Sequence, residues 1–386
     1  PRDGAFGQGR QEMRNEDRTH SEPCCEPSAC CGGVSDDSKA ERYVKESSSW
    51  IDQRIDTPAG STPVVKTALS RRDKLGAIKA RFGFGRMNYK IKPGLYGVGN
   101  PGPSSPVFVS ANYKLSFDLL RKELAGLDAW FLVLDTKGIN VWCAAGKGTF
   151  GTDEIVRRIE ETALDKVVSQ RTLILPQLGA PGVGAHEVTR RSKFKIIYGP
   201  VRASDIKAFL RAGGTATAEM RRVRFTFRDR LILTPMELAV PLKYFLVAAA
   251  IFLALGLLGL DVFSPRTLGA YLGAILAGAF CVPALLPWIP GRAFAFKGWL
   301  LGLFWALGVN LYQGWILSPS PDWLRAIGYF LLLPAISAFL AMIFTGSSTY
   351  TSLSGVLKEM RYAVPAMIVS AGIGLVLVLV VLIGSF

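Results

Sequence analysis

Residues 140–147 of the chain read Asn140–Val141–Trp142–Cys143–Ala144–Ala145–Gly146–Lys147. The interpretation of the fold begins from this stretch. The apolar run Ala129–Leu134 comes shortly before it and is typical of a buried strand. In an α/β sheet, ligands bind beyond the carboxyl ends of the strands. The small residues after Cys143 would let a large, flat ligand approach the backbone. The stretch therefore predicts a single thiol that is presented to a bulky ligand at a strand end.

Outward from this stretch, apolar runs alternate with amphipathic ones. The predicted strands are Pro106–Ser110, Trp130–Leu134, Thr172–Leu175 and Phe194–Tyr198, and Ile139–Trp142 leads to Cys143. The predicted helices are Leu115–Gly126, Thr152–Leu164 with Thr152 as its N-cap, and Ala203–Arg211. Strands that alternate with helices favour an α/β fold, here a doubly wound, Rossmann-like and mostly parallel sheet.

The C-terminal part is apolar enough to enter a membrane. Five hydrophobic segments, at about 240–260, 268–289, 298–317, 326–345 and 364–385, each approach the roughly 20 residues that span a bilayer. Basic residues cluster on one side of these segments: Arg221, Arg222, Arg224, Arg228, Arg230, Arg292, Lys297, Lys358 and Arg361. The positive-inside rule then predicts an inner-membrane protein with a cytoplasmic N-terminal domain and an outside C-terminus. The run before the first span is expected near anionic lipid headgroups or a partner protein.

Three regions follow from these patterns. Residues 1–88 are polar and predicted to be largely disordered, with a short helix near 40–50; residues 89–235 form the α/β domain, and 236–386 an all-α membrane domain. The first region holds four cysteines, Cys24, Cys25, Cys30 and Cys31. A role in capturing soft metal ions and an incidental place in a variable tail both stay open. No signal peptide is evident, so a reducing compartment without disulfides is expected.

Composition excludes some classes of protein. The net charge is +15 at pH 7, but many basic residues flank hydrophobic segments and no motif that reads RNA or DNA is evident, so nucleic acid is not an expected partner. Neither a Ser/His/Asp set nor a Walker loop is evident, and the chain has only two histidines. From the residues alone, Cys143 is either a buried structural cysteine or a catalytic thiol, and both interpretations stay open.

The whole of residues 140–147 resembles the signature of the HgcA family, the membrane corrinoid proteins of anaerobic mercury methylation. The similarity runs from about Gly94 to Arg211, where the domain also resembles the corrinoid-binding domain of the corrinoid iron–sulfur protein of the acetyl-CoA pathway. The resemblance implies a cobalamin-type, base-off corrinoid, with Cys143 as the lower axial ligand of its cobalt. Lys147 either helps to keep that thiol ionised or faces solvent.

The resemblance also implies that loops at other strand ends surround the corrinoid. Ser110–Lys114 and Leu175–Gly179 match the pattern of the family, as does the Gly/Pro-rich loop that begins at Gly199. Besides residues 140–147, the cofactor-binding residues expected on this basis are Asn112, Tyr113, Thr152, Gln177, Leu178, Gly179, Gly199, Pro200, Val201 and Arg202.

The activity implied by the resemblance is corrinoid-dependent transfer of a methyl group from cobalt to Hg(II), which makes methylmercury. The implied partners are HgcB, a ferredoxin-like protein with two 4Fe–4S clusters, and a methyltetrahydrofolate-linked methyl donor. Two alternatives stay open. One is a membrane-tethered methyl carrier of acetyl-CoA-pathway type with another acceptor, and the other is a non-enzymatic corrinoid-binding sensor or transporter.

Overall fold

The computed structural model describes residues 43–44, 50–257, 264–350 and 352–384. The four N-terminal cysteines, and most of the helix predicted near residues 40–50, lie outside the described residues. The described chain contains an α/β domain followed by a helical C-terminal half, as the sequence predicts.

Seven strands form one mixed sheet. They are β1 (Ile51–Thr57), β2 (Gly60–Val65), β3 (Gly94–Val98), β4 (Val107–Ala111), β5 (Ala129–Leu134), β6 (Thr172–Leu175) and β7 (Lys195–Tyr198), in the spatial order β1-β2-β3-β5-β4-β6-β7. The four strands β5, β4, β6 and β7 are mutually parallel, as predicted. β3 runs antiparallel to β5, and β1 pairs with β2 as an antiparallel hairpin at the edge.

Helices cover both faces of the sheet. In the α/β domain they are α1 (Arg71–Arg81), α2 (Lys114–Glu123), α3 (Val141–Gly146), α4 (Thr152–Glu161), α5 (Leu164–Val167), α6 (Ala185–Ser192) and α7 (Ile206–Arg211). Side chains of α2 and α7, such as Phe117 and Ile206, join one hydrophobic core. Side chains of α4 and α6, such as Ile155 and Val188, join the other core on the opposite face. This arrangement confirms the doubly wound α/β fold.

Within the segment 1–88, which is predicted to be largely disordered, the described residues 50–88 contain the regular elements β1, β2 and α1. Val64 and Val65 of β2 are buried, and Trp50 packs its ring against Tyr96 and Phe117. α1 begins with a capping box, in which Ser70 and Asp73 satisfy each other's backbone N–H groups. Only a few apolar residues of this polar stretch are buried, so its overall composition does not indicate that it folds.

The C-terminal half contains α8 (Phe227–Leu257), α9 (Pro265–Leu276), α10 (Val282–Leu285), α11 (Phe294–Tyr312), α12 (Trp323–Ile343) and α13 (Leu353–Gly384), with a π-helical turn (Ala277–Cys281) joining α9 to α10. Among the described residues, five segments are long and apolar enough to cross a membrane: Phe227–Ala254, Pro265–Leu285, Phe294–Tyr312, Trp323–Ser347 and Ser354–Leu382. Each overlaps one of the five predicted spans.

Glycines let these helices approach closely around the middle of α12. A Cβ at Gly302 of α11 would lie 2.7 Å from the Cα of Pro334, and one at Gly278 would lie 2.5 Å from the carbonyl oxygen of Ser337. The Ser337 hydroxyl donates to the Ala274 carbonyl 2.8 Å away, which links α12 to α9. Small residues and interhelical hydrogen bonds of this kind hold helices together in lipid.

Candidate functional site

The loops that carry the predicted site residues meet at one edge of the sheet. Because β4, β5, β6 and β7 are parallel, their carboxyl ends lie at the same edge. Asn112 and Tyr113 follow β4, the α3 stretch follows β5, Gln177 begins a turn after β6, and Gly199 follows β7. The fold therefore brings together sequence segments that are far apart in the chain.

Cys143 lies in the first turn of α3. Asn140 is the N-cap of this helix, and its side-chain oxygen accepts a hydrogen bond from the backbone N–H of Cys143, 2.9 Å away. Ile139–Trp142, the segment that leads to Cys143, therefore contains the start of a helix at Asn140. The hydrogen bond between Asn140 and Cys143 fixes the backbone position of Cys143.

The two sides of α3 differ in exposure. Val141, Ala144 and Ala145 are buried in the core beneath the helix. Trp142 is 45% exposed, Gly146 and Lys147 are exposed, and Cys143 is half-buried. Residues three or four apart share a helix face, so Cys143, Gly146 and Lys147 lie on one open face. A Cβ built on Gly146 or Gly148 would meet no heavy atom within 4 Å.

A six-residue 3₁₀ turn, Gln177–Gly182, packs beside α3. A Cβ on Gly182 would lie 3.0 Å from the Cα of Ala145, and one on Gly179 would lie 2.5 Å from the ring of Phe150. Gly179, predicted to bind a cofactor, thus allows close packing of the turn. Leu178 also packs against the core. In contrast, the Gln177 side-chain oxygen is buried without a hydrogen-bond partner in the described part of the chain.

Asn112 is fully buried and holds the loop that leads into α3. Its side-chain oxygen accepts hydrogen bonds from Thr136 N, Thr136 Oγ1 and Gly138 N at 3.2, 2.9 and 3.0 Å. Its amide donates to Asp135 Oδ1 at 3.0 Å. With 0% of its surface exposed, Asn112 acts on the site through this loop.

The residues between β5 and α3 are not among those predicted from the sequence. The backbone N–H of Asp135 donates to Glu154 of α4 at 2.8 Å, and the Asp135 carboxylate pairs with Lys137 at 2.9 Å. Burial would raise the pKa of Asp135, but the hydrogen bonds and charge of Lys137 hold that pKa below its ordinary value. Lys137 has a left-handed backbone, with φ of 56°. The feature of the sequence that indicates these residues is the polar run that directly follows the buried strand β5.

Tyr113 lies under a basic side chain at the same edge. Its ring contacts Tyr89 edge-on, and the Arg86 guanidinium lies 5.4 Å from its centroid. Burial raises the pKa of Tyr113 despite the nearby charges of Arg86 and Arg81. The phenol oxygen is buried and has no hydrogen-bond partner among the described residues.

Thr152 connects two elements of the site. Its hydroxyl accepts a hydrogen bond from the backbone N–H of Gly184 at 2.9 Å, at the start of α6. The N-cap of α4 is Gly151, with Thr152 as the first helical residue, so the predicted N-cap is wrong by one position. A Cβ at Gly151 would lie 2.7 Å from the Gly148 carbonyl oxygen, which explains why this position has no side chain.

The loop after β7 joins the sheet edge to the helical half. Gly199 N donates to Leu175 O and Val201 N to Met220 O, both at 2.8 Å, while Pro200 is buried. Arg202 forms an ion pair with Asp229 at the start of α8. Arg202, which is expected to bind a cofactor, is thus ion-paired with a residue of the first apolar helix.

Similarity to known proteins covers this same region. The family model described as CO dehydrogenase/acetyl-CoA synthase delta subunit (CdhD) matches residues 84–210. This part of the chain is a CdhD-like domain. It carries every element of the carboxyl edge from Arg86 to Arg202, and it stops before α8.

Three relatives illustrate the similarity. The acetyl-CoA decarbonylase/synthase complex subunit gamma of Archaeoglobus fulgidus is 33% identical over 127 residues, which are 32% of this chain and 27% of that protein. The same subunit of Methanopyrus kandleri is 31% identical over 132 residues, or 34% and 28% of the two chains. The corrinoid/iron–sulfur protein large subunit of Moorella thermoacetica is 27% identical over 176 residues, or 45% and 37%. The chain thus spans well under half the length of each relative.

Proposed function

We propose that this chain binds a corrinoid at the carboxyl edge of its sheet and takes part in methyl transfer at a membrane. The observation that carries the proposal is Cys143 on the open face of α3, at the same sheet edge as the loops after β4, β6 and β7. The similarity of residues 84–210 to the CdhD family, and of 176 residues of the chain to a corrinoid/iron–sulfur protein large subunit, supports the same ligand.

The residues at this edge fit a corrinoid in three respects. The exposed Gly146 at the end of α3, and Gly148 just after it, leave the backbone open to a flat ring. Gln177 and Tyr113 each hold a buried polar oxygen without a hydrogen-bond partner in the described chain, and the amide side chains of a corrinoid can supply one. Finally, the Cys143 thiol is a soft donor of the type that suits a transition metal.

In this proposal Cys143 is the lower axial ligand of the cobalt. Asn140 caps the first turn of α3 and thereby fixes the backbone from which the sulfur projects. Asn112 and Thr136 hold the preceding loop, so they position the ligand without touching the cofactor. When bound, a corrinoid supplies a methyl group that can leave with both bonding electrons, the form that an electrophile accepts.

The acceptor we propose is Hg(II), so that the product is methylmercury. A thiolate ligand at Cys143 is a strong, soft donor, which favours departure of the methyl group with its electron pair. This part of the proposal rests on the resemblance of residues 140–147 to the mercury-methylating family. The methyl group would come from a methyltetrahydrofolate-linked donor.

Turnover requires a reductant, because the methyl group leaves with both bonding electrons. The described residues contain no group of three His, Cys, Asp or Glu side chains that could hold a metal ion. On the resemblance of residues 140–147 we propose a separate ferredoxin-like partner, HgcB, as the electron source. We place the chain in the inner membrane with the α/β domain in the cytoplasm, because basic residues cluster on that side of the five spans.

A second candidate function is a membrane-tethered methyl carrier with another acceptor. The similarity to acetyl-CoA decarbonylase/synthase gamma subunits favours it. The two functions share the corrinoid and the role of Cys143, and they differ only in the acceptor. A test must therefore measure the product.

The test is methylmercury formation from Hg(II) in an anaerobe whose own gene is deleted, complemented with this chain and the ferredoxin-like partner. We expect activity with the native chain and a loss of at least a hundredfold in Cys143→Ala. Cys281→Ala is the matched control, because this half-buried cysteine lies in the membrane half, and it should keep native activity.

Two results would contradict parts of the proposal. Full activity of Cys143→Ala with bound corrinoid would exclude the thiolate ligand. No methylmercury from the native chain, despite membrane expression and bound corrinoid, would favour the carrier with another acceptor.

A further inference from the structure

One side of α1 exposes large apolar side chains next to the membrane half. Leu75 is 53% exposed and Ile78 is 51% exposed, and Phe82 follows four positions later. These spacings place the three side chains on one helix face. The chain continues this apolar surface after the helix with Phe84, which is 73% exposed, and Met87.

The opposite side of α1 is fixed to the α/β domain. Asp73 is buried and pairs with Lys114 of α2 at 2.8 Å, and Ala80 is buried as well. The exposed face is therefore held outward by a buried ion pair. An outward apolar surface of this kind marks a binding surface.

The charge around this surface has a single sign. Residues 71–88 contain one acidic residue, the buried Asp73, and six basic residues, of which four are exposed: Arg71, Arg72, Lys74 and Lys79. Exposed cations around an apolar helix face suit an anionic bilayer surface, where phosphates attract the charges and the apolar side chains enter the headgroup boundary.

The same segment touches the first membrane helix. A Cβ at Gly83 would lie 3.6 Å from the sulfur of Met236, which belongs to the apolar segment Phe227–Ala254. Arg86 interacts electrostatically with Glu237, the next residue of α8. One turn further, Val240 is 55% exposed. The apolar surface of residues 71–88 thus adjoins the helix whose exposed side chains meet lipid.

We propose that residues 71–88 form an interfacial segment that lies in the headgroup region of the bilayer crossed by α8. Leu75, Ile78 and Phe84 enter the bilayer surface, and the exposed cations contact anionic lipid phosphates. Met87 also contacts the loop before α3, since its carbonyl oxygen lies 3.2 Å from the Cβ position of Gly138. The segment therefore holds the edge that carries Cys143 close to the membrane surface, whatever reaction occurs there.

The test places a photo-crosslinking benzoylphenylalanine at Phe84 of the full chain in nanodiscs that contain phosphatidylglycerol and phosphatidylcholine. Ala125, exposed at the amino edge of the sheet, is the negative control position. Val247, exposed on α8, is the positive one. We expect lipid adducts at positions 84 and 247 and at least fivefold fewer at 125.

A charge variant tests the anionic lipid. Combined Arg72→Gln, Lys74→Gln and Lys79→Gln changes should lower the lipid adducts at position 84 at least threefold, with those at 247 unchanged. The proposal is overturned if position 84 gives no more lipid adduct than position 125 while 247 is labelled, or if position 84 crosslinks to a second protein chain. An unchanged yield in the charge variant would exclude the role of the cations.

Discussion

Both halves of the molecule bury charged side chains, but they give them different partners. In the α/β domain, Lys114 and Arg121 meet Asp73 and Asp118 in one buried cluster. Lys114 Nζ lies 2.8 Å from Asp73 and 2.7 Å from Asp118, and Arg121 lies 2.9 and 2.8 Å from the same two carboxylates. Two positive and two negative charges cancel, and the cluster joins α1 to α2.

In the helical half, single cations are held by backbone carbonyl oxygens. Arg230 donates to Phe225 O at 2.9 Å and to Ala284 O at 3.2 Å. Lys297 donates to Leu286 O at 2.7 Å and also to Ile289 O. The acceptors at 284–289 lie at or just after the carboxyl end of α10, where the helix carries partial negative charge.

The two halves therefore use a buried charge in different ways. A cluster of opposite charges specifies one relative position of two elements, because every member has a charged partner whose loss leaves another charge unpaired. A cation on helix-end carbonyls leaves only neutral groups behind when it is removed. We therefore expect charge deletions to cost more stability in the α/β domain than in the helical half.

The largest expected effect is from Arg121→Met. This change leaves the carboxylates of Asp73 and Asp118 buried with Lys114 as their only cation, which should lower the free energy of unfolding of the α/β domain by about 3–5 kcal/mol. Native-state hydrogen exchange of the α1 and α2 amides, read by mass spectrometry in detergent, measures the loss.

Lys122→Met is the matched control on the same helix. Lys122 is exposed and lies 3.5 Å from Glu123, and an exposed pair of this kind contributes about 0–1 kcal/mol. If both variants exchange alike, the cluster does not hold α1 against α2, and the contrast between the two halves is lost.

The sequence predicts the elements that are apolar along most of their length. β4 and β5 are buried at every position, β6 and β7 are short and mostly apolar, and the five apolar helices are long apolar runs, so periodicity and length are sufficient. By contrast, β1 lies at the sheet edge and has no buried residue, and α1 exposes an apolar face. Both lie in a stretch of polar composition, where only the Ser70–Asp73 capping box signalled a helix.

At the site, the structure adds contacts that the sequence pattern does not indicate. Asn112 and Thr152, which are expected to bind a cofactor, also hydrogen-bond the loops beside α3 and α6. Arg202 pairs with Asp229 of α8. These contacts join residues far apart in the chain, so no local pattern encodes them.

A second effect, of about 2 kcal/mol, is expected on acidification. Burial would raise the pKa of Asp73, but hydrogen bonds from Lys114 and Ser70 lower it from 3.8 to about 2. The folded state then binds fewer protons than the unfolded state, so this stabilisation is present above pH 4 and is lost as the pH falls towards 2. The full shift corresponds to about 2 kcal/mol.

Amide exchange of α1 at matched chemical rates between pH 5 and 2.5 measures this effect, with Asp73→Asn as the comparison. The native chain should lose protection of α1 as the pH falls, while the variant starts less stable and changes less. Parallel pH curves for the two proteins would show that Asp73 is not the titrating group.

The smallest effect is expected for Lys297→Met in the helical half. The change removes two charge-assisted hydrogen bonds but also the cost of burying an ammonium group, so the net loss should be about 1 kcal/mol. The thermal midpoint in detergent measures it, with the exposed Lys243→Met on α8 as control. A loss of stability as large as that of Arg121→Met would mean that a buried cation stabilises the protein as much on carbonyl oxygens as on carboxylates. The contrast between the two halves would then be wrong.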